Sequence, residues 1–250
     1  MLAYNQYKQG EIIEFPTSIQ ELLSEEPAAK KIKTNSRYKS NGQPKATPAD
    51  PFRSPEDVKK MQEYYLSKGQ IRNYTLLTVG INFALRASDL LSLTVDDIYT
   101  DDNPADVVDS FALYEDKTNK RNIIHISPTC KKVLLDYFYQ IPDEMYGSDP
   151  VFFSGNLDAY GDKRPITLRQ LNRILEDGAK AVGLPYHVSS HSLRKTFAYW
   201  AINNHKGDQE TLYTLQYLLN HTDIRTTFRY TGIETNKVAA LRDEIGNLLL

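Results

Sequence analysis

The chain has little that would tie it to a membrane, an oxidising compartment or a metal site built on cysteine. Its 250 residues include one cysteine, Cys130, which excludes an internal disulfide and a cysteine-clustered zinc site. Its apolar runs are far shorter than the roughly 20 residues that cross a bilayer. The N-terminal stretch "MLAYNQYKQGE" lacks the basic and apolar regions of a signal peptide. We therefore expect a soluble, intracellular protein with no membrane partner.

An excess of positive charge is also missing. The formal net charge is -2 and the pI is about 6.2, so bulk charge does not draw this chain to nucleic acid. Basic residues are instead concentrated between residues 28 and 47, where no acidic residue occurs: Lys30, Lys31, Lys33, Arg37, Lys39 and Lys45. An acidic stretch before them and several prolines around them predict a flexible N-terminal arm or linker over residues 1–52. Such an arm is either a solvated tail or a segment that follows DNA phosphates.

From Ser54 onward the hydrophobic pattern becomes regular. With 40% hydrophobic residues, the chain is long enough for one sizeable core. Helical periodicity covers most of this part, at about 55–68, 71–85, 168–182, 190–205, 208–219 and 234–248. Between these helices, "ALYEDKTNKRNIIHISP" predicts a hairpin around Lys117–Lys120, and "PVFFSG" predicts a third short strand. The predicted fold class is mainly α with a small antiparallel β-sheet, that is, α+β.

Arg86 carries a charge at an unfavourable place. It directly follows the strongly apolar helix "LLTVGINFAL", and Asp89 lies three residues further along. Ser88 is positioned to cap the next short helix, "DLLSL". Because a charge at the end of a buried helix needs a partner, the simplest interpretation of this segment alone is an ion pair between Arg86 and Asp89.

A second segment, "VSSHSLRKTFAYWAI", places a histidine and an arginine at the start of a helix. Ser189 or Ser190 is expected to cap this helix, with His191 in its first turn and Arg194 one turn later. A helix N-terminus attracts phosphate and disfavours a protonated imidazole. The guanidinium fork fits two phosphate oxygens. Taken singly, however, the segment is better explained as a capped surface helix.

The third segment, "LLNHTDIRTTFRY", combines a histidine with a tyrosine nine residues later. Asn220 tolerates the left-handed conformation of a helix C-terminus, so His221 is predicted to project from a turn. Thr222 or Asp223 is placed to cap a short helix that carries Tyr230. Because the chain has 17 tyrosines, Tyr230 alone would be read as a packed aromatic.

Together, "ALRASDL", "HSLRKTFA" and "LLNHTDIRTTFRY", in this order and at these separations, resemble the tyrosine recombinases, the phage integrase family of site-specific DNA recombinases. The resemblance covers about residues 54 to 245. It implies the tyrosine recombinase catalytic-domain fold, which we assign to residues 53–250. It also implies a set of catalytic residues: Arg86, Lys117, His191, Arg194, His221 and Tyr230. Lys120 competes with Lys117 for the role of the hairpin lysine, and Asp89 is expected to support the site.

The resemblance implies a separate chemical role for each of these residues in the cleavage of a phosphodiester. Tyr230 would attack the phosphorus, giving a 3′-phosphotyrosine and a free 5′ hydroxyl. Lys117 would protonate the departing 5′ oxygen, and His191 would act as a general base or orient the tyrosine. Because the phosphotyrosine keeps the bond energy, rejoining would need no ATP.

The remaining groups would stabilise charge. Arg86 and Arg194 would bind the non-bridging oxygens as negative charge builds on them, and His221 would donate a further hydrogen bond. No metal or other cofactor is expected. Departures from the family pattern, with Ala84 and Asn220 where glycine is frequent, remove no chemical group from this set.

Most relatives in that family carry a helical core-binding domain before the catalytic domain, and residues 1–52 are too short for one. We therefore expect either that the basic arm partly compensates or that a partner supplies half of the clamp. Candidate DNA-binding residues lie in the arm and the hairpin: Lys30, Lys31, Lys33, Arg37, Lys39, Lys120 and Arg121.

The expected partners are double-stranded DNA, three further copies of the chain in a tetramer on DNA, and a directionality or accessory factor. An apolar stripe near the C-terminus could dock on a neighbouring copy or on its own core. The expected location is the cytoplasm of a bacterial or phage-infected cell, in association with the nucleoid. Two other functions stay open: type IB topoisomerase-like activity, and a non-catalytic DNA-binding accessory protein derived from a recombinase.

Overall fold

A computed structural model of the chain describes residues 48–100, 106–140, 145–205, 208–231 and 242. These residues all belong to one unit, Thr47–Leu250. Their helices and strands, in chain order, are α1 Pro55–Ser67, α2 Ile71–Phe83, α3 Ala87–Leu91, α4 Val95–Ile98, β1 Ser110–Tyr114, β2 Arg121–His125, α5 Pro128–Phe138, β3 Phe153–Leu157, β4 Lys163–Pro165, α6 Leu168–Ala181, α7 Ser190–Asn204, α8 Gln209–Leu218 and α9 Ile224–Thr231. The predicted α+β class is confirmed. The helix predicted over 234–248 and the basic residues of the arm lie outside the described residues.

The strands correct the sequence prediction of a single small sheet. The described residues contain two separate two-stranded sheets, β1–β2 and β3–β4, both antiparallel. The first is a regular hairpin, with Ser110 opposite His125 and Tyr114 opposite Arg121. The strand β4 was missed because its sequence, "KRP", is three residues of charge and proline with no alternating pattern.

Most helix starts follow the capping rules that predicted them. Ser54 accepts a hydrogen bond from the Asp57 amide at 3.2 Å and is followed by proline at the first helical position. Ser189 caps α7, in a capping box with Ser192. One prediction was wrong: Arg86, not Ser88, is the N-cap of α3, so this helix begins one residue after the arginine.

The core forms around α2, which is buried along most of its length. Leu76, Leu77 and Val79 are completely buried. Gly80 lets α2 approach α7 closely, because a Cβ at this position would lie 2.7 Å from Cδ1 of Leu193. A second apolar cluster, which includes Ile202, joins α7 to α8 and α9. Among the described helices, none combines the length and apolar character needed to cross a membrane.

The segment just before α1 lies along α7. The Phe52 amide donates to Oγ1 of Thr196 at 2.8 Å, and Nε1 of Trp200 donates to the Phe52 carbonyl at 3.0 Å. The Lys195 ammonium donates to the Ala49 carbonyl at 2.8 Å. Residues 48–53 therefore pack against α7, the helix that carries His191 and Arg194, and α2 packs against the same helix within the core.

Candidate active site

The first candidate residue, Arg86, stands where the chain leaves the buried helix α2. Ala84 ends that helix in the left-handed conformation, with φ of 51°. The chain then turns, and Arg86 adopts extended geometry as the N-cap of α3. This turn places the guanidinium beside the β1–β2 hairpin.

The hydrogen-bonded partner of Arg86 is Glu115, which the sequence interpretation did not include, and the predicted ion pair with Asp89 is present as a longer contact. Nη1 of Arg86 forms a hydrogen-bonded ion pair with Oε2 of Glu115, whereas Oδ2 of Asp89 lies 4.0 Å from the same nitrogen. The Asp89 carboxylate instead accepts the Asp116 amide through Oδ1 at 3.1 Å. The sequence signal for Glu115 was an acidic residue in the inward register of Phe111 on a strand that otherwise buries apolar side chains.

Glu115 is fully buried, and several donors surround its carboxylate. Oγ1 of Thr118 donates to Oε2 at 2.8 Å, and Nδ2 of Asn122 donates to Oε1 at 3.3 Å. Burial raises the pKa of Glu115, but hydrogen bonds from Asn220, Arg86 and Thr118 outweigh that effect and leave the pKa below its usual value. The residue is therefore a buried carboxylate held in its charged form.

Arg194 is the second guanidinium, and its side chain enters the protein interior. It is only 3% exposed. Nη1 donates to the Ala84 carbonyl at 2.6 Å, and Nη2 donates to the Leu219 carbonyl. Among the described residues, Nε has no hydrogen-bond partner, and no carboxylate lies within ion-pair distance of the guanidinium. Burial lowers the pKa of Arg194, and the neighbouring Arg86 lowers it further.

His221 follows α8 in a turn, as predicted. Asn220, with φ of 50°, makes the left-handed turn that precedes it. Nδ1 of His221 lies 3.0 Å from Oγ1 of Thr227 on α9. Burial lowers the pKa of His221 to about 4, and the Arg194 and Arg86 guanidiniums act in the same direction. The imidazole is therefore neutral near pH 7.

Tyr230 lies near the end of α9 and faces His221. The two rings are 4.9 Å apart between centroids. The Lys195 ammonium lies 5.9 Å from the centre of the Tyr230 ring. Tyr230 is half-buried, and its hydroxyl makes no hydrogen bond to any described residue. A tyrosine that served only as packing would be expected to satisfy its hydroxyl.

His191 and the hairpin lysines complete the group. Partial loss of hydration lowers the pKa of His191, and Lys195, Arg194 and Lys117 lower it further. This interaction places Lys117 near the His191 ring, at the start of the hairpin turn. Lys120 is exposed at the end of the same turn, where its carbonyl accepts the Glu115 amide at 3.0 Å.

The structure thus brings the residues predicted as catalytic into one region. The arm residues proposed to bind DNA lie outside the described part of the chain, and Arg121 is exposed at the start of β2. Sequence reasoning missed three contributors: Glu115, Thr227 and the left-handed conformation of Ala84. Within the described residues, no three histidine, cysteine or acidic side chains are grouped so that they could hold a metal ion.

Comparison with known proteins agrees with the fold. The sequence profile of the Phage integrase family matches residues 53–237. The chain is 33% identical over 198 residues to a probable integrase/recombinase, YoeC, of Bacillus subtilis strain 168, covering 79% of this chain and 97% of that protein. The chain belongs to the phage integrase family.

More distant relatives are longer. Identity to the tyrosine recombinase XerC of Caldanaerobacter subterraneus subsp. tengcongensis is 28% over 184 residues, 73% of this chain and 47% of that protein. Identity to XerD of Rickettsia bellii is 29% over 190 residues, 72% of this chain and 59% of that protein. The chain therefore spans about half the length of these relatives.

Solved structures share the fold. The XerA recombinase aligns with a TM-score of 0.55 at 22% identity, over 79% of this chain and 66% of that one. A lambda integrase dimer bound to a COC′ core site aligns with a TM-score of 0.53 at 16% identity, over 75% and 61% of the two chains. The described residues therefore have the tyrosine recombinase catalytic-domain fold.

Proposed function

We propose that this protein is a site-specific recombinase or integrase that cleaves and rejoins double-stranded DNA through a 3′-phosphotyrosine at Tyr230. The observation that carries this proposal is the state of Arg194. Its guanidinium is buried, it has no carboxylate partner among the described residues, and its Nε is unpaired. A buried cation with no hydrogen-bonded carboxylate is costly to maintain unless the site binds an anion during its function.

A phosphate between the two guanidiniums fits this charge arrangement. Arg86 uses Nη1 for Glu115 and makes no other hydrogen bond among the described residues, so its remaining nitrogens are available to a ligand. Arg194 adds a second buried positive charge, and its Nε has no hydrogen-bond partner among the described residues. Two fixed guanidiniums would stabilise the negative charge that grows on the non-bridging oxygens during attack. This pairing supports phosphoryl transfer over simple DNA binding, which needs no buried arginine.

The proton transfers follow from the neutral histidines. Tyr230 attacks the phosphorus and the bond from phosphorus to the 5′ oxygen breaks. His191, whose lowered pKa leaves it neutral, takes the phenolic proton, and Lys117 gives a proton to the 5′ oxygen. Rejoining reverses each transfer, with a 5′ hydroxyl attacking the phosphotyrosine. The bond energy is conserved, so the cycle we propose consumes no ATP.

His221 has a third role in this scheme. When the Thr227 hydroxyl donates to Nδ1, Nε2 of His221 carries the ring proton and can donate it to a phosphate oxygen. The short distance between the His221 and Tyr230 rings supports a donor close to the proposed nucleophile.

The family membership supports recombination as the purpose of this chemistry. Relatives carry the names XerC, XerD and integrase/recombinase, and a structural neighbour is a lambda integrase dimer on a core site. We infer double-stranded DNA as the substrate and a tetramer of this chain as the active assembly, in the cytoplasm of a bacterial or phage-infected cell. A directionality or accessory factor is a further proposed partner.

The decisive experiment traps the covalent intermediate. Because the target sequence is not known, the substrate is a library of duplexes with randomised cores and a nick near the cleavage position. After cleavage, the short fragment that bears the free 5′ hydroxyl diffuses away, so rejoining is prevented. We expect the protein to retain DNA through denaturation, with mass spectrometry locating the adduct on Tyr230. The matched control, Tyr230→Phe, removes one oxygen and should bind DNA without forming an adduct.

The outcomes separate the alternative functions. Sequencing of the captured DNA should give one core motif, which is then joined to a second copy in a recombination assay. Relaxation of supercoiled plasmid with no recombinant product would favour a topoisomerase. Sequence-specific binding with no adduct in the wild type would favour a non-catalytic accessory protein.

A further inference from the structure

Glu115 stands apart from the residues expected to touch DNA, because it is completely buried and negatively charged in a site built to hold an anion. Its relative exposure is 0%, and its pKa is lowered. A carboxylate within a phosphate site opposes the substrate electrostatically. We therefore expect Glu115, at the end of β1, to have a function that outweighs this electrostatic repulsion.

The contacts of Glu115 reach three separate parts of the site. Its carboxylate binds Nη1 of Arg86 at the N-terminus of α3. It accepts the Thr118 hydroxyl at 2.8 Å, one residue from Lys117 in the hairpin turn. It also accepts a hydrogen bond from the side chain of Asn220, the residue before His221. No other side chain of the described residues bonds to all three segments.

The backbone of Glu115 shapes the hairpin turn as well. Its carbonyl accepts the Asn119 amide at 2.8 Å, and its amide donates to the Lys120 carbonyl at 3.0 Å. Asn119 adopts a positive φ of 50°, which closes the turn. The turn that presents Lys117 is thus anchored at one residue, and that residue is the one that binds Arg86.

We propose that Glu115 is the positioning residue of the site: it holds the Arg86 guanidinium by one nitrogen and fixes the Lys117 turn and the His221 turn in register with it. This role rests on the proposed cleavage reaction. Arg86, which would bind the phosphate, and Lys117, which would protonate the leaving oxygen, are then both positioned by the buried Glu115. The remaining nitrogens of Arg86 stay available to the phosphate.

The negative charge of Glu115 has a second effect. Arg86 is close enough to Arg194 to disfavour the charge of Arg194, and Glu115 acts against that repulsion. The glutamate therefore lets two guanidiniums face one phosphate before DNA arrives. Glutamine has the same shape but is uncharged and has one acceptor oxygen instead of two, so it would lose this compensation and at least one of the hydrogen bonds that Glu115 accepts.

The test compares Glu115→Gln with Asp116→Asn. Both variants remove one negative charge from the same turn, but Asp116 is exposed, so bulk charge and DNA attraction change equally. We expect Glu115→Gln to slow single-turnover adduct formation by about 10- to 100-fold, because misplaced catalytic groups cost that much. Asp116→Asn should stay within about fivefold of the wild type, as expected for an exposed charge. DNA affinity should change little and alike in both variants.

A structural ion pair without a positioning role predicts a different pattern. In that case Glu115→Gln would lower the melting temperature but would cleave within about fivefold of the wild type once folded. That result would overturn the proposal. If Glu115→Gln does not fold, Thr118→Val removes one hydroxyl donor and leaves the ion pair intact. It should slow cleavage with unchanged melting, and normal cleavage by this variant would contradict the proposal.

A second measurement separates this proposal from the proposed function. The Nε–H resonance of Arg86, assigned by its loss in Arg86→Lys, reports the guanidinium position without any reaction. If the wild type forms no DNA adduct, the cleavage function fails. A shift and broadening of this resonance in Glu115→Gln, but not in Asp116→Asn, would still show the positioning. An unchanged resonance would refute it.

Discussion

At the scale of single residues, two left-handed turns hold the buried arginine in place. Ala84 and Asn220 have φ angles of 51° and 50°. The carbonyls that accept Arg194 belong to Ala84 itself and to Leu219, the neighbour of Asn220. Asparagine tolerates this conformation better than alanine does.

The first prediction separates backbone from side-chain effects at Asn220. Asn220→Gly and Asn220→Ala both remove the hydrogen bond to Glu115, but only glycine adopts the positive φ without strain. We expect Asn220→Ala to have a free energy of unfolding about 1 kcal/mol lower than Asn220→Gly, measured by urea denaturation. Equal stability of the two variants would show that the turn relaxes.

The second prediction concerns the stability of the protein in acid. The pKa of His221 is about 4 in the folded state against 6.5 for the free side chain. Between these values the unfolded chain binds more protons than the folded one, so stability is retained above pH 6.5 and lost as the pH falls toward 4. His191, whose pKa is also lowered, acts in the same direction.

His221→Gln should therefore reduce the loss of unfolding free energy on going from about pH 7 to about pH 5, by about 1 kcal/mol after allowance for solvent screening. Urea denaturation at both pH values measures the difference. His125→Gln, at an exposed position, is the matched control for the substitution itself. A pH dependence identical to the wild type in His221→Gln would contradict the assignment.

At the scale of elements, the β1–β2 hairpin carries the two candidate lysines, Lys117 and Lys120, at opposite ends of one turn. The turn begins after Glu115 and places Lys117 close enough to His191 to depress its pKa. Lys120 lies at the opposite end of the turn, where β2 begins. We propose Lys117 as the general acid and Lys120 as a contact to the DNA backbone, because Lys117 is the hairpin lysine whose charge lowers the pKa of His191.

The third prediction uses a leaving group that needs no proton. Lys117→Ala should slow cleavage by at least about 100-fold on ordinary DNA, as expected for the loss of a general acid. A bridging sulfur in place of the 5′ oxygen gives a thiolate leaving group, so it should restore most of the rate to Lys117→Ala. Lys120→Ala should cleave within about fivefold of the wild type on both substrates. Rescue of Lys120→Ala by sulfur would reverse the assignment.

At the scale of the whole molecule, the boundary between the arm and the folded unit determines how the arm can be tested. Phe52 is completely buried, and Ala49 accepts the Lys195 ammonium. Removing Phe52 from the core would cost about 3 to 5 kcal/mol, so a deletion that includes it would confuse folding with DNA binding. A deletion of residues 1–47 avoids this problem.

The fourth prediction concerns the basic residues of the arm. Deleting residues 1–47 should flatten the dependence of DNA affinity on salt, by up to about 5 units of slope if all six basic side chains contact phosphates. A full-length variant with the six replaced by glutamine should give the same flattening at constant length. An unchanged slope in either protein would dismiss the arm as a DNA contact.

The docking of the C-terminal stripe on a neighbouring copy stays a prediction, because it falls outside the described residues.

The sequence by itself determined the local structure and the chemical inventory. Capping residues located the starts of α1 and α7, and periodicity distinguished the helices from the β1–β2 hairpin, because these signals depend on neighbours within a few residues. The order of Arg86, His-x-x-Arg and Tyr230 was sufficient to name the family. The sequence did not predict the short strand β4, because three residues are too few to show an alternating hydrophobic pattern.

The tertiary structure alone decided which groups meet. Nothing local to Arg86 indicates that it also forms a hydrogen-bonded ion pair with Glu115, 29 residues away. Nothing local to Arg194 shows that its guanidinium is buried against a carbonyl 110 residues away. Such pairings depend on how α2, α7 and the hairpin pack, and packing is a property of the whole core rather than of any segment.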